Sequence, residues 1–159
     1  MEIKKEIGIK ENQDFILFVL KIADFLFEIG DKKKASIYYI EGATIIKEIF
    51  GENEEFLKII LKIADIHMEL GDNHSAENMS KKAVLLAKNI FQTDSQEYLY
   101  IIKKLANFYY YNNFADEALF VYEQIYEINK TDKESSERLM ELYKEKKNLG
   151  KILGLKFKK

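Results

Sequence analysis

Few side chains in this sequence are equipped for chemistry. His67 and His74 are its two histidines, and cysteine is absent. Acid–base catalysis, nucleophilic attack or metal binding would rest on those imidazoles and on carboxylates, and there is no glycine-rich phosphate loop or metal-ligand spacing. Carboxylates are plentiful, but with 33% charged residues a helical chain brings many acid–base pairs together by chance. More regular is the chemistry of recognition: Lys21 precedes Asp24 and Lys62 precedes Asp65 at the same spacing, with Phe27 and Met68 following. No catalytic residue, metal ligand or cofactor is expected, and the chain does not read as an enzyme.

Composition sets the outer bounds. A chain of 159 residues with 47% hydrophobic side chains can bury a core as one compact domain. Its 25 basic and 27 acidic residues nearly cancel, which removes the global attraction that brings proteins to nucleic acid or anionic lipid. Neither partner is expected. The lack of cysteine excludes disulfides and thiolate chemistry, and no apolar run reaches the roughly 18 residues of a membrane span. The opening stretch "MEIKKEIGIKENQD" has no apolar signal segment, so the expected location is cytoplasmic.

The elements that would position the recognition residues are helices. There is no proline, and apolar residues recur at helical spacing, as in Ile16, Val19, Ala23 and Leu26. Breaks at "EIGDK", "FGENEE", "ELGDN", "FQTDSQ", "YNNFAD" and "NKTDKE" each offer an N-cap: Asp31, Asn53, Asp72, Asp94, Asn113 and Thr131. Asp94 with Glu97 and Thr131 with Glu134 have the spacing of capping boxes. Seven helices are predicted, over 14–30, 32–50, 54–70, 73–91, 95–111, 114–129 and 132–147.

These helices repeat in pairs. "LKIADFLFEIGD" from Leu20 returns as "LKIADIHMELGD" from Leu61, and "KKLANFYYYNNFADEA" is a third, eroded copy. Each copy has a small residue in its first helix (Ala23, Ala64, Ala106) and an alanine early in its second (Ala35, Ala76, Ala118). Small residues there let paired helices cross closely. His67 fills the slot of Leu26 and Tyr109, which is a packing position, and His74 beside Asp72 reads as a surface residue.

The repeat resembles the tetratricopeptide repeat family, in the longer variant found in kinesin light chains. That resemblance implies an all-α, right-handed α-solenoid of about three and a half antiparallel helix-pair repeats with a C-terminal capping helix. The domain reading is an N-terminal extension over 1–13, repeats over 14–52, 53–93 and 94–131 within 14–131, and a capping helix with a basic tail over 132–159. The tail "KILGLKFKK" reads as a frayed end of the cap, a linker into a further region or a short amphipathic contact, the first being the commonest fate of such an end.

The family turns one face of each first helix toward a concave groove. Carried over by aligned position, the first copy contributes Leu17, Leu20, Lys21, Asp24, Phe27 and Glu28. The second contributes Lys58, Leu61, Lys62, Asp65, Met68 and Glu69, and the third Tyr100, Lys103, Lys104, Asn107, Tyr110 and Tyr111. Aligned copies form ladders of lysine, acid or amide, and bulky apolar side chains, a surface suited to a peptide or helix. The ladders would equally well neutralise one another as a solvated face, and the apolar rungs could serve the core. Tyr109, Tyr110 and Tyr111 cannot all face one way, so at least one should reach solvent or a partner. Lys103 and Asn107 match the opening pair of the clamp with which the family's co-chaperones hold a heat-shock carboxylate. The rest of that clamp is missing, and Asp24 and Asp65 would repel a carboxylate.

The expected function is a scaffold that binds a peptide or helix of a partner protein in this groove. The alternative is a structural subunit assembling through solenoid end faces, as a homo-oligomer or in a larger complex.

Overall fold

The computed structural model describes residues 2–147, with side chains from residue 12 onward. Among the described residues there are seven helices and no strand: α1 (Glu2–Glu28), α2 (Lys32–Phe50), α3 (Glu54–Glu69), α4 (Asn73–Ile90), α5 (Gln96–Tyr111), α6 (Ala115–Ile128) and α7 (Lys133–Glu145). The largest departure from the predicted boundaries is at α1, which begins at Glu2 instead of residue 14. Nothing before Asp14 forbids a helix, since the stretch lacks proline and its single glycine, Gly8, only weakens one. The basic tail lies outside the described residues.

One turn is built three times. Gly30, Gly71 and Asn113 all have positive φ, of 85°, 72° and 61°. In each copy the amide of that residue bonds the carbonyl three residues back, and the next amide reaches five back: Gly30 to Phe27 and Asp31 to Leu26, Gly71 to Met68 and Asp72 to His67, Asn113 to Tyr110 and Phe114 to Tyr109. This is the Schellman ending, which satisfies the orphan carbonyls of the first helix and needs a left-handed residue. Glycine takes that conformation freely, and asparagine is among the few others that do so readily.

The same geometry explains the cap that was misplaced. Asn113 closes α5 and cannot also open α6, so the N-cap is Phe114, which makes no side-chain cap bond. Two further caps fall one residue later than predicted. Ser95, in place of Asp94, accepts from the amide of Tyr98, and Asp132, in place of Thr131, accepts from that of Ser135. Neither predicted capping box therefore has its expected cap. Asp31, Asn53 and Asp72 cap as predicted, accepting from the amides of Lys34, Phe56 and Ser75.

The chain divides into two compact units, Met1–Leu86 and Ala87–Lys159. In the first, α1 packs on α2 and α2 on α3. Ala23 and Ala35 are fully buried there with Tyr39, and Phe56, Ile60 and Ile63 line the inner side of α3. In the second, α5 packs on α6 and α6 on α7, around Ile102, Ala106, Ala118, Tyr122, Ile125 and Leu139. Each large side chain buried in this way contributes about 1.5–3 kcal/mol relative to leaving it in water. The small residues predicted at crossings, Ala64, Ala76 and Ala106 among them, are all buried.

Candidate functional site

In the first unit, Asp24 on α1 is the meeting point. It accepts a hydrogen bond from the Tyr39 hydroxyl of α2 and one of 2.5 Å from the Lys62 ammonium of α3. Lys62 also lies over the Tyr39 ring at 4.7 Å and near the Phe27 ring at 5.8 Å. The lysine of the second copy thus pairs with the acid of the first across a helix boundary. Burial, the largest single influence, pushes the Asp24 carboxyl up, but the bonds from Lys62 and Tyr39 outweigh it and hold the carboxyl below its ordinary value. Lys62 is raised: burial works against its charge, and the bonds to Asp24 and Tyr39 prevail. The Tyr39 phenol is pushed up to about 12, by burial first and by its bond to Asp24 second.

Around this knot the predicted residues are graded. Leu20, Phe27, Leu61, Asp65 and Met68 are half-buried, while Leu17, Lys21, Glu28, Lys58 and Glu69 are exposed. Lys58 pairs along its own helix with Glu54 at 3.7 Å and Glu55 at 3.4 Å, and Glu69 pairs with Lys32 of α2 at 2.6 Å. The apolar side chains of the α1–α3 face keep area open to solvent beside these pairs.

In the second unit, α7 engages the equivalent residues of α5. Lys103 donates to Asp132 at 2.5 Å and lies 3.7 Å from Glu134, and the Asn107 amide donates to Glu134 at 3.4 Å. Tyr110 donates to Glu141 at 2.8 Å. The Arg138 guanidinium sits 4.4 Å from the Tyr110 ring centroid and donates to the hydroxyls of both Tyr110 and Tyr111 at 3.2 Å. Burial tends to raise the Asp132 carboxyl, but Lys103 and the Ser135 donors hold it below its ordinary value. Tyr110 is raised, chiefly by its bond to Glu141. Of the three consecutive tyrosines, Tyr109 is buried, Tyr110 is half-buried and Tyr111 is 67% exposed. Lys104 is half-buried with its ammonium 5.9 Å from the ring of the exposed Tyr100.

Sequence reasoning missed Tyr39 and Tyr122. The Tyr122 hydroxyl donates to Asn107 as Tyr39 does to Asp24, and its phenol is likewise raised by burial. The signal was present: both tyrosines stand at one repeat position, which in the second copy is the buried Ser80. His67 is half-buried, its Nε2 3.4 Å from the Ser36 hydroxyl. Its Nδ1 is 3.3 Å from Asp72 but outside hydrogen-bonding geometry, as befits a packing residue. His74 is exposed and meets Asn78 at 3.1 Å. Among the described residues, no group of three or more histidine, aspartate or glutamate side chains is placed to hold a metal ion, and no helix is long and apolar enough to cross a membrane.

Helix pairs stacked with a repeated Schellman turn define the fold of the tetratricopeptide-repeat solenoids, and solved structures agree. BtubC (BKLC) from P. vanneervenii superposes with a TM-score of 0.71 at 17% identity, over 91% of this chain and 61% of that one. A Podosopora anserina protein with nearly identical TPR-like repeats gives 0.66 at 17% identity, over 88% of this chain and 70% of that one. The first TPR of Spaghetti (RPAP3), bound to the HSP90 peptide SRMEEVD, gives 0.54 at 17% identity, over 81% and 90%. The chain thus spans about three-fifths of the length of BtubC. No family model matches the sequence, and no curated protein does either.

Proposed function

We propose that this chain is a protein-interaction scaffold that holds a peptide or helix of a partner protein against the face formed by α1 and α3. One observation carries the reading. At the centre of that face Asp24, Lys62 and Tyr39 satisfy one another, while Leu17, Leu20, Phe27, Leu61 and Met68 keep area open to solvent. A face whose central charges are paired and whose apolar side chains are offered gains most from an apolar anchor. Support by analogy comes from RPAP3, which shares the fold and is bound to a peptide. Its acidic peptide is a poor match here, because Lys103 and Asn107 are engaged by Asp132 and Glu134.

The test starts from a partner recovered by pull-down from the source cell and measured by calorimetry against variants. Phe27→Ala and Met68→Ala should each weaken binding at least about tenfold, the scale of a central anchor, with circular dichroism unchanged. Tyr111→Ala should have little effect.

A second reading has its own observation. Phe15, Phe18 and Phe25, continued by Ile29 just past the helix end, form a stripe on the side of α1 away from the buried Ile16, Val19 and Ala23, and each is 50% to 61% exposed. Such a stripe suits assembly through a solenoid end. Normal binding by the Phe27 and Met68 variants, together with loss of binding in Phe18→Glu, would favour it over the α1–α3 face.

A further inference from the structure

The first unit contains a cleft where the middle of α1 meets the end of α2 and the start of α3. It has a volume of about 490 Å³, and its walls include Leu17, Leu20, Ile46 and Phe50, with Asp14 and Glu55 at the rim. Ligand clefts span roughly 300–1,000 Å³ and are mostly apolar with a few placed polar groups. This one is large enough for a bulky apolar side chain and the backbone beside it.

A glycine shapes the wall. A Cβ on Gly42 would lie 2.7 Å from Leu20 Cδ2 and 3.3 Å from its Cγ, so Leu20 rests directly on the α2 backbone. The aligned residues in the other copies are Ala83 and Ile125, opposite Leu61 and Lys103. The first copy combines the smallest residue with an apolar one, which lets Leu20 sink and leaves the cleft open.

The rim fixes the sign of what enters. Asp14 and Glu55 are both exposed carboxylates. Lys58 lies 3.4 Å from Glu55, but exposed pairs of this kind are weak and exchange readily. Asn53 already accepts from the Phe56 amide, and Glu54 and Glu55 occupy the first turn of α3, offsetting the positive end of its dipole. An acidic ligand is therefore repelled and a basic one attracted.

We infer that this cleft seats a bulky apolar side chain of the partner peptide, with an adjacent lysine or arginine meeting Asp14 and Glu55. The inference rests on the peptide-binding reading and specifies the chemistry of the partner. It sets this chain apart from the acidic peptide seen with RPAP3.

The probe is a short peptide, blocked at both ends, with a central leucine–arginine pair. Controls carry leucine–glutamate or alanine–arginine. Binding is followed through the methyl NMR signals of Leu17, Leu20 and Ile46. The leucine–arginine peptide should shift these signals saturably, and both controls should bind about three- to tenfold more weakly, the scale of one or two exposed charge pairs or a partly buried apolar side chain. Gly42→Ala keeps α2, because alanine is the better helix former, but drives Leu20 into the cleft and should weaken binding by a similar factor. Asp14→Lys with Glu55→Lys should reverse the preference between arginine and glutamate. Equal binding of the glutamate peptide, or no saturable shift at millimolar peptide, overturns the inference. Saturable shifts confined to the methyls of Leu61 and Met68 overturn the cleft while leaving the α1–α3 reading intact. Saturation in the cleft beside normal partner binding by Phe27→Ala and Met68→Ala overturns that reading instead.

Discussion

Asp24 does more in this protein than its place on a half-exposed face suggests. Its carboxylate joins α1 to α2 through Tyr39 and to α3 through Lys62, so one side chain ties together three helices. Its folded pKa lies below the ordinary 3.8. A depressed carboxyl contributes stability that is complete above the unfolded value and lost as pH falls through the folded one. Lys62 and Tyr39 shift the other way, upward from 10.5 and from 10.0 to about 12. Their contribution is complete below their unfolded values and fades as pH rises through the folded ones. Asp24→Asn should therefore lower the urea midpoint at pH 7 and flatten its fall between about pH 5 and 2, where the wild type steepens. Equal slopes for both proteins would show that the carboxylate is not held as the structure has it. The sequence displayed both halves of this knot but not their pairing. Lys21 and Asp24, three apart on one helix, looked like natural partners, and only the register between α1 and α3 selects Lys62 instead.

At the scale of elements, α7 is the informative one. It carries few apolar side chains, yet Leu139, Leu142 and Tyr143 are buried, Tyr143 donates to Glu123 of α6 at 2.5 Å, and Asp132 both caps the helix and holds Lys103. Losing a cap costs roughly 0.5–2 kcal/mol, so Asp132→Ala should lower stability by about that much, whereas Thr131→Ala should change it by less than about 0.5 kcal/mol. Chemical denaturation of the two variants compares them directly. Ending the chain after Lys130 removes the cover from α6 and should cause self-association visible by light scattering, while a truncated chain that stays monomeric and equally stable would deny α7 a capping role. Much of the element scale was legible beforehand, because Gly30, Gly71 and Asn113 mark one turn three times and the alanines mark the crossings. Asn113 was taken up by the turn that closes α5, and the other two cap errors arose where two neighbours could both cap. Asp94–Ser95 and Thr131–Asp132 each offer two acceptors, and the choice depends on which residue has extended backbone, which composition does not reveal. Gly42 was visible as a departure from the repeat, but its effect on Leu20 depends on an interhelical approach that no single helix displays.

For the molecule as a whole, any self-association through the outer side of α1 is set by the residues exposed there. Phe15, Phe18, Phe25 and Ile29 are each at least half exposed, the half-buried Ile22 lies in line between them, and apolar patches of this sort usually mark an interaction site. If a second copy covers the stripe, a twofold contact must place the same residues against themselves. The midpoint between Phe18 and Phe25 falls between Lys21 and Ile22, so an antiparallel contact brings Ile22 and the exposed Lys21 of both copies close to the axis. Along the same flank, Asp14 of each copy comes toward Glu28 of the other, and both are exposed. Apolar area favours association and these like charges oppose it, which predicts weak, reversible self-association at high protein concentration. Salt then decides the matter, since repulsion between exposed charges is screened within about 10 Å at 0.1 M while apolar burial is not. Raising the salt concentration should strengthen association, the reverse of the behaviour expected for a contact held by opposite charges. Phe18→Glu with Phe25→Glu should abolish it without lowering the melting temperature, because neither side chain belongs to the core. Light scattering across a concentration series at low and high salt measures both effects. Association that weakens with salt, or that survives the double substitution, would remove this stripe as the contact; a protein that stays monomeric throughout would leave the α1–α3 face as the surface by which the chain meets its partners.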